Sequence, residues 1–181
     1  MQLSSPYPQM KARGTEATAS AFENAFHTYW PRIHAVLYRL TGDPDQAEDL
    51  ALEVFLRLHR EPRLLQPDQN LPAWLYRVAA NLGYNALRAA RRRQKYETAA
   101  GQLALQTDLP PDPAHAAERT AEQNAVRRTL AAMKPRDAQL LLLRHSGLSY
   151  NELAAALHLN PASIGKLLSR AEKEFEKKYN E

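Results

Sequence analysis

The chain has 181 residues, 44% of them hydrophobic, and a formal net charge of +4. It has no cysteine, which excludes a disulfide scaffold and a cysteine-based zinc site and fits a reducing cytoplasm. No apolar run reaches the roughly 18 residues that a membrane-spanning helix needs, and the polar start lacks a signal-peptide core, so we expect a cytoplasmic chain without membrane insertion. The sequence has no Gly-rich phosphate loop, and its six histidines lack metal-ligand spacing, so it predicts neither an enzyme nor a bound cofactor.

The first part of the chain predicts a tail followed by two helices. Residues 1–18 are polar and dotted with prolines, and we interpret them as a flexible N-terminal tail. The spacing of apolar residues then predicts a helix from about Ser20 to Tyr29. Because proline disrupts a helix interior but suits a first turn, Pro31 is expected to begin a second helix that ends near Leu40.

The third predicted helix is acidic. Asp43 is a favourable N-cap, Pro44 suits the first turn, and the helix is expected to end near His59. Its acidic block contains Asp43, Asp45, Glu48, Asp49 and Glu53. Taken alone, this block is most simply a solvated surface, and a docking surface for a basic partner is the alternative.

The fourth predicted helix, residues 71–95, follows a loop at 61–70 and contains no Asp or Glu. One face is apolar, and the rest carries Trp74, Tyr76, Asn81, Tyr84, Asn85, Arg88, Arg91, Arg92, Arg93 and Lys95. Aromatic rings stack on unpaired bases, amides read base edges and guanidinium groups hold phosphates, so this helix indicates contact with opened nucleic acid. A core helix with a solvated basic end is the plainer alternative.

The last third of the chain predicts a helix-turn-helix. Helices are expected at about 114–133 and 135–145, and residues 149–152 form a capping box that opens a short helix to Leu157. Asn160 caps a final helix, whose N-terminal part would enter the major groove of DNA. The residues expected to face DNA are Ser163, Gly165, Lys166, Ser169 and Arg170. A helical hairpin within a bundle is the alternative.

These elements predict an all-α fold of two small helical domains joined by a flexible linker, the C-terminal domain being the helix-turn-helix. The predicted ranges are 1–18 for the tail, 19–96 for the first domain, 97–113 for the linker and 114–181 for the second domain. The linker range holds Gly101, Pro110, Pro111 and Pro113 and has little periodicity.

Three segments, in order, resemble motifs of bacterial sigma factors of the extracytoplasmic-function (ECF) group. They are residues 46–55 (QAEDLALEVF), 74–81 (WLYRVAAN) and 147–154 (GLSYNELA). The resemblance covers about residues 20–95 and 115–178. It implies sigma region 2 in the first domain and sigma region 4 in the second.

The resemblance also implies partners and residue roles. The acidic helix would dock on the β′ clamp coiled coil of core RNA polymerase through Glu48, Asp49, Leu52 and Glu53. The −10 promoter element would be bound by Asn81, Tyr84, Asn85, Arg88, Arg91, Arg92 and Arg93. Trp74 would pack, holding the preceding loop against the helix. The C-terminal helix-turn-helix would bind the −35 element, and the partners would include the β flap and an anti-sigma factor. The free protein is expected to be a monomer.

The chain departs from the family pattern at several positions. Leu52 stands where glutamine is usual, and Gly165, Leu167 and Glu172 stand where basic residues are common. Weak or unusual −35 recognition is therefore expected. Two other functions stay open: a conventional helix-turn-helix regulator of duplex DNA, and a sigma-like adaptor that does not open promoters.

Overall fold

The computed structural model describes the backbone of residues 9–99 and 113–181 and the side chains of residues 17–96 and 120–181. Within these ranges the chain is helical and has no strand, so the predicted all-α class is confirmed. The α-helices are α1 (Gln9–Thr41), α2 (Pro44–Arg60), α3 (Leu71–Ala99), α4 (Pro113–Ala132), α5 (Pro135–His145), α6 (Tyr150–Leu157) and α7 (Ile164–Tyr179). Single 3-10 turns span Pro62–Leu65 and Pro161–Ser163.

Helix α1 replaces the two helices that Pro31 was expected to separate. It continues through Pro31, which is exposed to solvent. An internal proline costs a helix about 3 kcal/mol. Apolar residues on both sides of it, Ala25 before and Ile33 and Leu37 after, are buried in the same core. We attribute the continuous helix to this packing, which sequence periodicity alone could not weigh.

The tail and linker ranges also differ from the prediction. Helix α1 begins at Gln9, inside the range expected to be a flexible tail. Helix α3 continues to Ala99 and α4 begins at Pro113, so both ends of the predicted linker are helical. The remainder of the tail, residues 1–8, and of the linker, residues 100–112, lies outside the described residues.

The helices form two units that pack against each other. Helices α1, α2 and α3 contact one another in the first unit, and α4, α5 and α6 pack around α7 or its neighbours in the second. Helix α3 also contacts α4, α5 and α6, so it lies between the two units. The buried apolar residues form one cluster that extends from Ala25 in α1 to Ala171 in α7. Among the described residues, no helix is long and apolar enough to cross a membrane.

Gly83 allows α3 to approach α1 closely. A Cβ at Gly83 would lie 2.6 Å from Leu40 Cδ1 and 3.1 Å from Leu37 Cδ2, and both leucines are fully buried. We expect Gly83→Val to lower the free energy of unfolding by about 1–3 kcal/mol because it overpacks this contact. Chemical denaturation should show this loss. Ala90→Val on the exposed side of α3 is the control, and an equal loss there would contradict the packing explanation.

Candidate nucleic-acid and protein interfaces

The outer face of α2 combines acids with exposed leucines. Asp43 caps this helix, because its carboxylate accepts hydrogen bonds from the backbone N–H groups of Asp45 and Gln46 at 2.9 and 3.1 Å. Leu52 and Leu56, one turn apart, are 43% and 50% exposed. Such pairing of large apolar side chains on a solvent-facing helix is a feature of binding surfaces.

The acids on this face surround the two leucines. Glu48 and Asp49 are exposed, and Glu53 accepts a hydrogen bond from Arg57 Nε at 2.8 Å. The four residues predicted from the resemblance to bind polymerase therefore share one accessible surface. Leu56, which the resemblance did not include, is exposed on the same face, and its position four residues after Leu52 is the sequence signal for this.

The first half of α3 is more buried than its sequence suggested. Trp74 is partly buried and packs against the core, as expected for it. Tyr76 is buried, and its burial raises the pKa of its hydroxyl, which nearby Arg32 opposes. The ring of Tyr76 is therefore not available for stacking on a base in this conformation.

Three side chains of the predicted −10 surface make hydrogen bonds to the second unit. Gln139 Nε2 of α5 donates to Asn81 Oδ1 at 2.7 Å, and Tyr84 Oη donates to the Met133 carbonyl at 2.6 Å. The Arg91 guanidinium donates to the carbonyl of Ala131 at 3.1 Å. Asn81, Tyr84 and Arg91 recur at helical spacing on one face of α3. That face is the one against which the second unit packs.

Tyr84 differs most from the expectation of an open surface. It is only 3% exposed. Burial raises its pKa, against the opposing charges of Arg88 and Arg91, so its phenol is neutral and serves as the hydrogen-bond donor at neutral pH. The other members of the predicted set, Asn85, Arg88, Arg92 and Arg93, are exposed. Asn81 and Arg91 are exposed as well, apart from the atoms bonded to the second unit, so Tyr84 is the one member of the predicted −10 set that is buried.

Two arginines cross between the units, each reaching the end of a helix in the other unit. Arg127 Nε of α4 donates to the Arg39 carbonyl in the last turn of α1 at 3.1 Å. Arg39 Nη1 donates to the His145 carbonyl at the end of α5 at 3.2 Å and to Ser146 Oγ at 2.9 Å. Positive charge is favourable at helix C-termini, where carbonyls lack partners. We call Arg39 and Arg127 together the arginine clasp.

Gly42 explains how Arg127 fits against α1. It follows the helix with φ +71°, a conformation that favours glycine. A Cβ on this residue would also lie 2.5 Å from Arg127 Cζ, so a side chain would displace the guanidinium. Burial lowers the pKa of Arg127, consistent with an arginine inserted between the units. No local sequence pattern could have indicated this contact, because its partners lie 88 residues apart.

The helix-turn-helix has the predicted cap on α6, but Asn160, expected to cap the final helix, caps the 3-10 turn Pro161–Ser163 that precedes α7. Helix α6 opens with the capping box of Ser149 and Glu152, and Asn160 Oδ1 accepts from the Ala162 N–H at 3.0 Å. Between them, His158 takes the left-handed conformation with φ 52°. Its ring contacts the Arg77 guanidinium of α3, a further link between the units.

The predicted −35 residues form a sparse surface at the start of α7. Ser163, Lys166, Ser169 and Arg170 are exposed, and Gly165 is half-buried near the ring of Tyr150. Two cations among five positions give few phosphate contacts. The structure therefore leaves this surface accessible while it covers part of α3.

Ser149→Ala should reduce stability and change its pH dependence. The Ser149 hydroxyl and N–H donate to Glu152 Oε2 at 2.6 and 2.7 Å, and these bonds hold the Glu152 pKa below its usual value. Stability from this carboxylate is present above the unfolded-state pKa and is lost as pH falls through the lower folded-state pKa. We expect the variant to lose about 1 kcal/mol at neutral pH and less in acid, measured by thermal unfolding. Ser169→Ala, which removes no cap, should change little at either pH.

Two regions of the chain match the profiles of known protein families. The family profile described as Sigma-70 region 2 matches residues 25–93. The profile described as Sigma-70, region 4 matches residues 123–175. These ranges contain α2, most of α3 and the helix-turn-helix, and so include the surfaces described above.

Two relatives and one solved structure illustrate the similarity. The chain is 32% identical over 141 residues to the ECF RNA polymerase sigma factor EcfG of Rhodopseudomonas palustris, covering 78% of this chain and 75% of the relative. It is 35% identical over 143 residues to the probable RNA polymerase sigma factor RfaY of Xanthomonas campestris, covering 77% of this chain. The match spans only 35% of that relative's length. The fold resembles RpoE of Bartonella quintana, solved in complex with the anti-sigma factor NepR, with TM-score 0.56, 20% identity and coverage of 88% and 96%.

Proposed function

Because the chain belongs to the ECF group of the sigma-70 family of RNA polymerase sigma factors, we propose that it directs core RNA polymerase to specific promoters and stabilises the melted −10 element. The observation that supports this most is the composition of α3. Amides and arginines share one face of α3, in which residues 71–95 contain no acid, and a helix-turn-helix follows on the same chain. The amides and arginines of α3 suit an opened DNA strand, and the helix-turn-helix suits duplex DNA.

Each of the two units has its own role in this function. Residues 19–96 form region 2, in which Glu48, Asp49, Leu52 and Glu53 bind the β′ clamp coiled coil. Leu56 enlarges that surface by its exposure beside them. A mixed apolar and acidic face suits a partner that presents both apolar and basic groups, because the leucines supply burial and the acids supply orientation.

Residues 114–181 form region 4, which binds the −35 element through the exposed start of α7 and binds the β flap. Its few cations predict weak binding to duplex DNA by the free protein. Binding to polymerase then raises the apparent affinity for the promoter, because contacts with polymerase and with DNA in one complex reinforce each other. The chain performs no covalent chemistry, and it acts in the cytoplasm, where polymerase and DNA are found.

Promoter opening requires the two units to separate at α3. In this arrangement Tyr84 is buried against the second unit, Asn81 Oδ1 accepts from Gln139, and one N–H of Arg91 donates to the Ala131 carbonyl, so these particular groups are not free for a melted strand. Binding of polymerase or an anti-sigma factor would each select one arrangement of the units. An anti-sigma factor that favours the packed arrangement would keep α3 covered.

Run-off transcription tests the proposal. Bacterial core polymerase would be combined with this protein on DNA taken from upstream of its own gene. Defined transcripts that require the protein, and that the Asp49→Arg variant fails to produce, would support the sigma function. Co-elution with core polymerase without transcripts would instead favour an adaptor, and tight duplex binding without either would favour a conventional regulator.

A further inference from the structure

A basic groove lies between α3 and the second unit. It consists of two adjoining open cavities of about 810 and 650 Å³, which share Arg91, Lys95 and Lys178 in their walls. Sites for small molecules typically have this range of volume. The cations of the α3 wall are Arg88, Arg91, Arg92 and Lys95. Those of the facing wall are Arg128, Lys134 and Lys178. We call these cavities together the basic groove.

The charge of the basic groove is poorly balanced. Its walls contain two acids, Glu174 and Glu181, and Glu181 lies 4.0 Å from Lys177 outside the groove. The ion pairs within residues 17–96 and 120–181 do not include any of the groove cations. Packing the units together therefore brings like charges near one another, which opposes the packed arrangement. A multivalent anion between the walls would remove this repulsion.

An aromatic ring lies at one end of the same groove. Tyr179 lines the larger cavity, is 41% exposed, and stacks on Phe175 with ring centroids 5.6 Å apart. The stacking on Phe175 holds the ring while one side of it stays accessible. A fixed aromatic face beside a row of cations suits a ligand that has both a base and phosphates.

We propose that the basic groove binds a nucleoside oligophosphate, with its phosphates between the two rows of cations and its base against Tyr179. Because the walls belong to different units, the ligand binds only when the units are packed together and thereby stabilises that arrangement. Arg88, Arg91 and Arg92 would then be unavailable to the −10 strand. This last consequence rests on the proposed function, whereas ligand binding itself does not.

Calorimetric titration of the full chain with ATP and with inorganic tripolyphosphate tests the site. We expect both probes to bind, ATP more tightly. Lys134→Ala and Lys178→Ala should each weaken both by roughly tenfold, because each removes a charged phosphate contact. Neither lysine belongs to the proposed DNA or polymerase surfaces. Lys173→Ala, an exposed cation of α7 outside the groove, is the matched control and should change neither affinity.

Tyr179→Ala distinguishes the contribution of the base to the binding affinity from that of the phosphates. It should lower the affinity for ATP to that for tripolyphosphate and leave the affinity for tripolyphosphate unchanged. Equal binding of ATP and tripolyphosphate by the unmodified protein would overturn the nucleoside part of the proposal and assign the groove to inorganic polyphosphate. Equal weakening by Lys173→Ala and Lys178→Ala would overturn the site altogether, because it would indicate diffuse attraction to a basic surface.

Competition with a single-stranded DNA oligonucleotide tests the coupling. Tripolyphosphate should displace the oligonucleotide from the unmodified protein and do so less well from the Lys134→Ala, Lys178→Ala double variant. If these two lysines instead matter more for the oligonucleotide than for ATP, the groove is a path for DNA and the proposal fails. Absence of ATP binding alongside normal run-off transcription would reject the site and leave the sigma function intact.

Discussion

Asp49→Arg is expected to weaken binding of core RNA polymerase by roughly tenfold or more, because it reverses a charge at the centre of the acidic and apolar face of α2. Asp49 is exposed, so the fold should survive the change. Gel filtration with core polymerase would measure the loss of co-elution. Glu23→Arg, a charge reversal at an exposed position of α1, is the control and should leave co-elution intact.

The reciprocal variant, Asn81→Ala, separates polymerase binding from promoter opening. It should co-elute with polymerase normally but produce less open complex, measured by permanganate reactivity of thymines in the −10 element. The Asn81 amide offers both a donor and an acceptor to a base, and alanine offers neither. A similar loss of co-elution in Asn81→Ala and Asp49→Arg would contradict the proposed division of roles.

Local signals allowed the starts of α2 and α6 to be predicted from the sequence. The caps at Asp43 and Ser149 were expected and are present, whereas Asn160 caps the 3-10 turn before α7 and not α7 itself. Each depends on a side chain that reaches a backbone group only two or three residues away. Such contacts depend little on the rest of the fold. Pro31 is the opposite case, because its neighbours are held in the helix by residues from other parts of the chain.

The covered face of α3 could not be predicted for a related reason. Asn81 and Gln139 are 58 residues apart, and neither residue type identifies the other as its partner. The partner of Tyr84 is a backbone carbonyl, which every residue possesses. The spacing of polar residues on α3 therefore indicated a polar face but not the second unit that packs against part of it. The same amides and arginines that suit nucleic acid also suit the carbonyls of a neighbouring helix.

The packed arrangement is held in part by the arginine clasp, which suggests a variant that favours separation of the units. Arg39→Ala combined with Arg127→Ala removes contacts to the ends of two helices without altering a proposed polymerase or DNA residue. The clasp makes three partly exposed hydrogen bonds, two from Arg39 and one from Arg127, which together contribute about 2 kcal/mol. Their combined loss would shift the equilibrium toward separated units by roughly thirtyfold.

We expect the double variant to bind a −10 single-stranded oligonucleotide roughly tenfold more tightly than the unmodified protein, and to show a larger radius of gyration by small-angle X-ray scattering. The direction of the affinity change is informative, because loss of two positive charges should by itself weaken DNA binding. The control is Arg60→Ala combined with Lys173→Ala, which removes one exposed cation from each unit. That control should bind the oligonucleotide equally or more weakly. If the clasp variant also bound no more tightly, the packed arrangement would not limit access to α3, and its covered residues would have to reach DNA by another route.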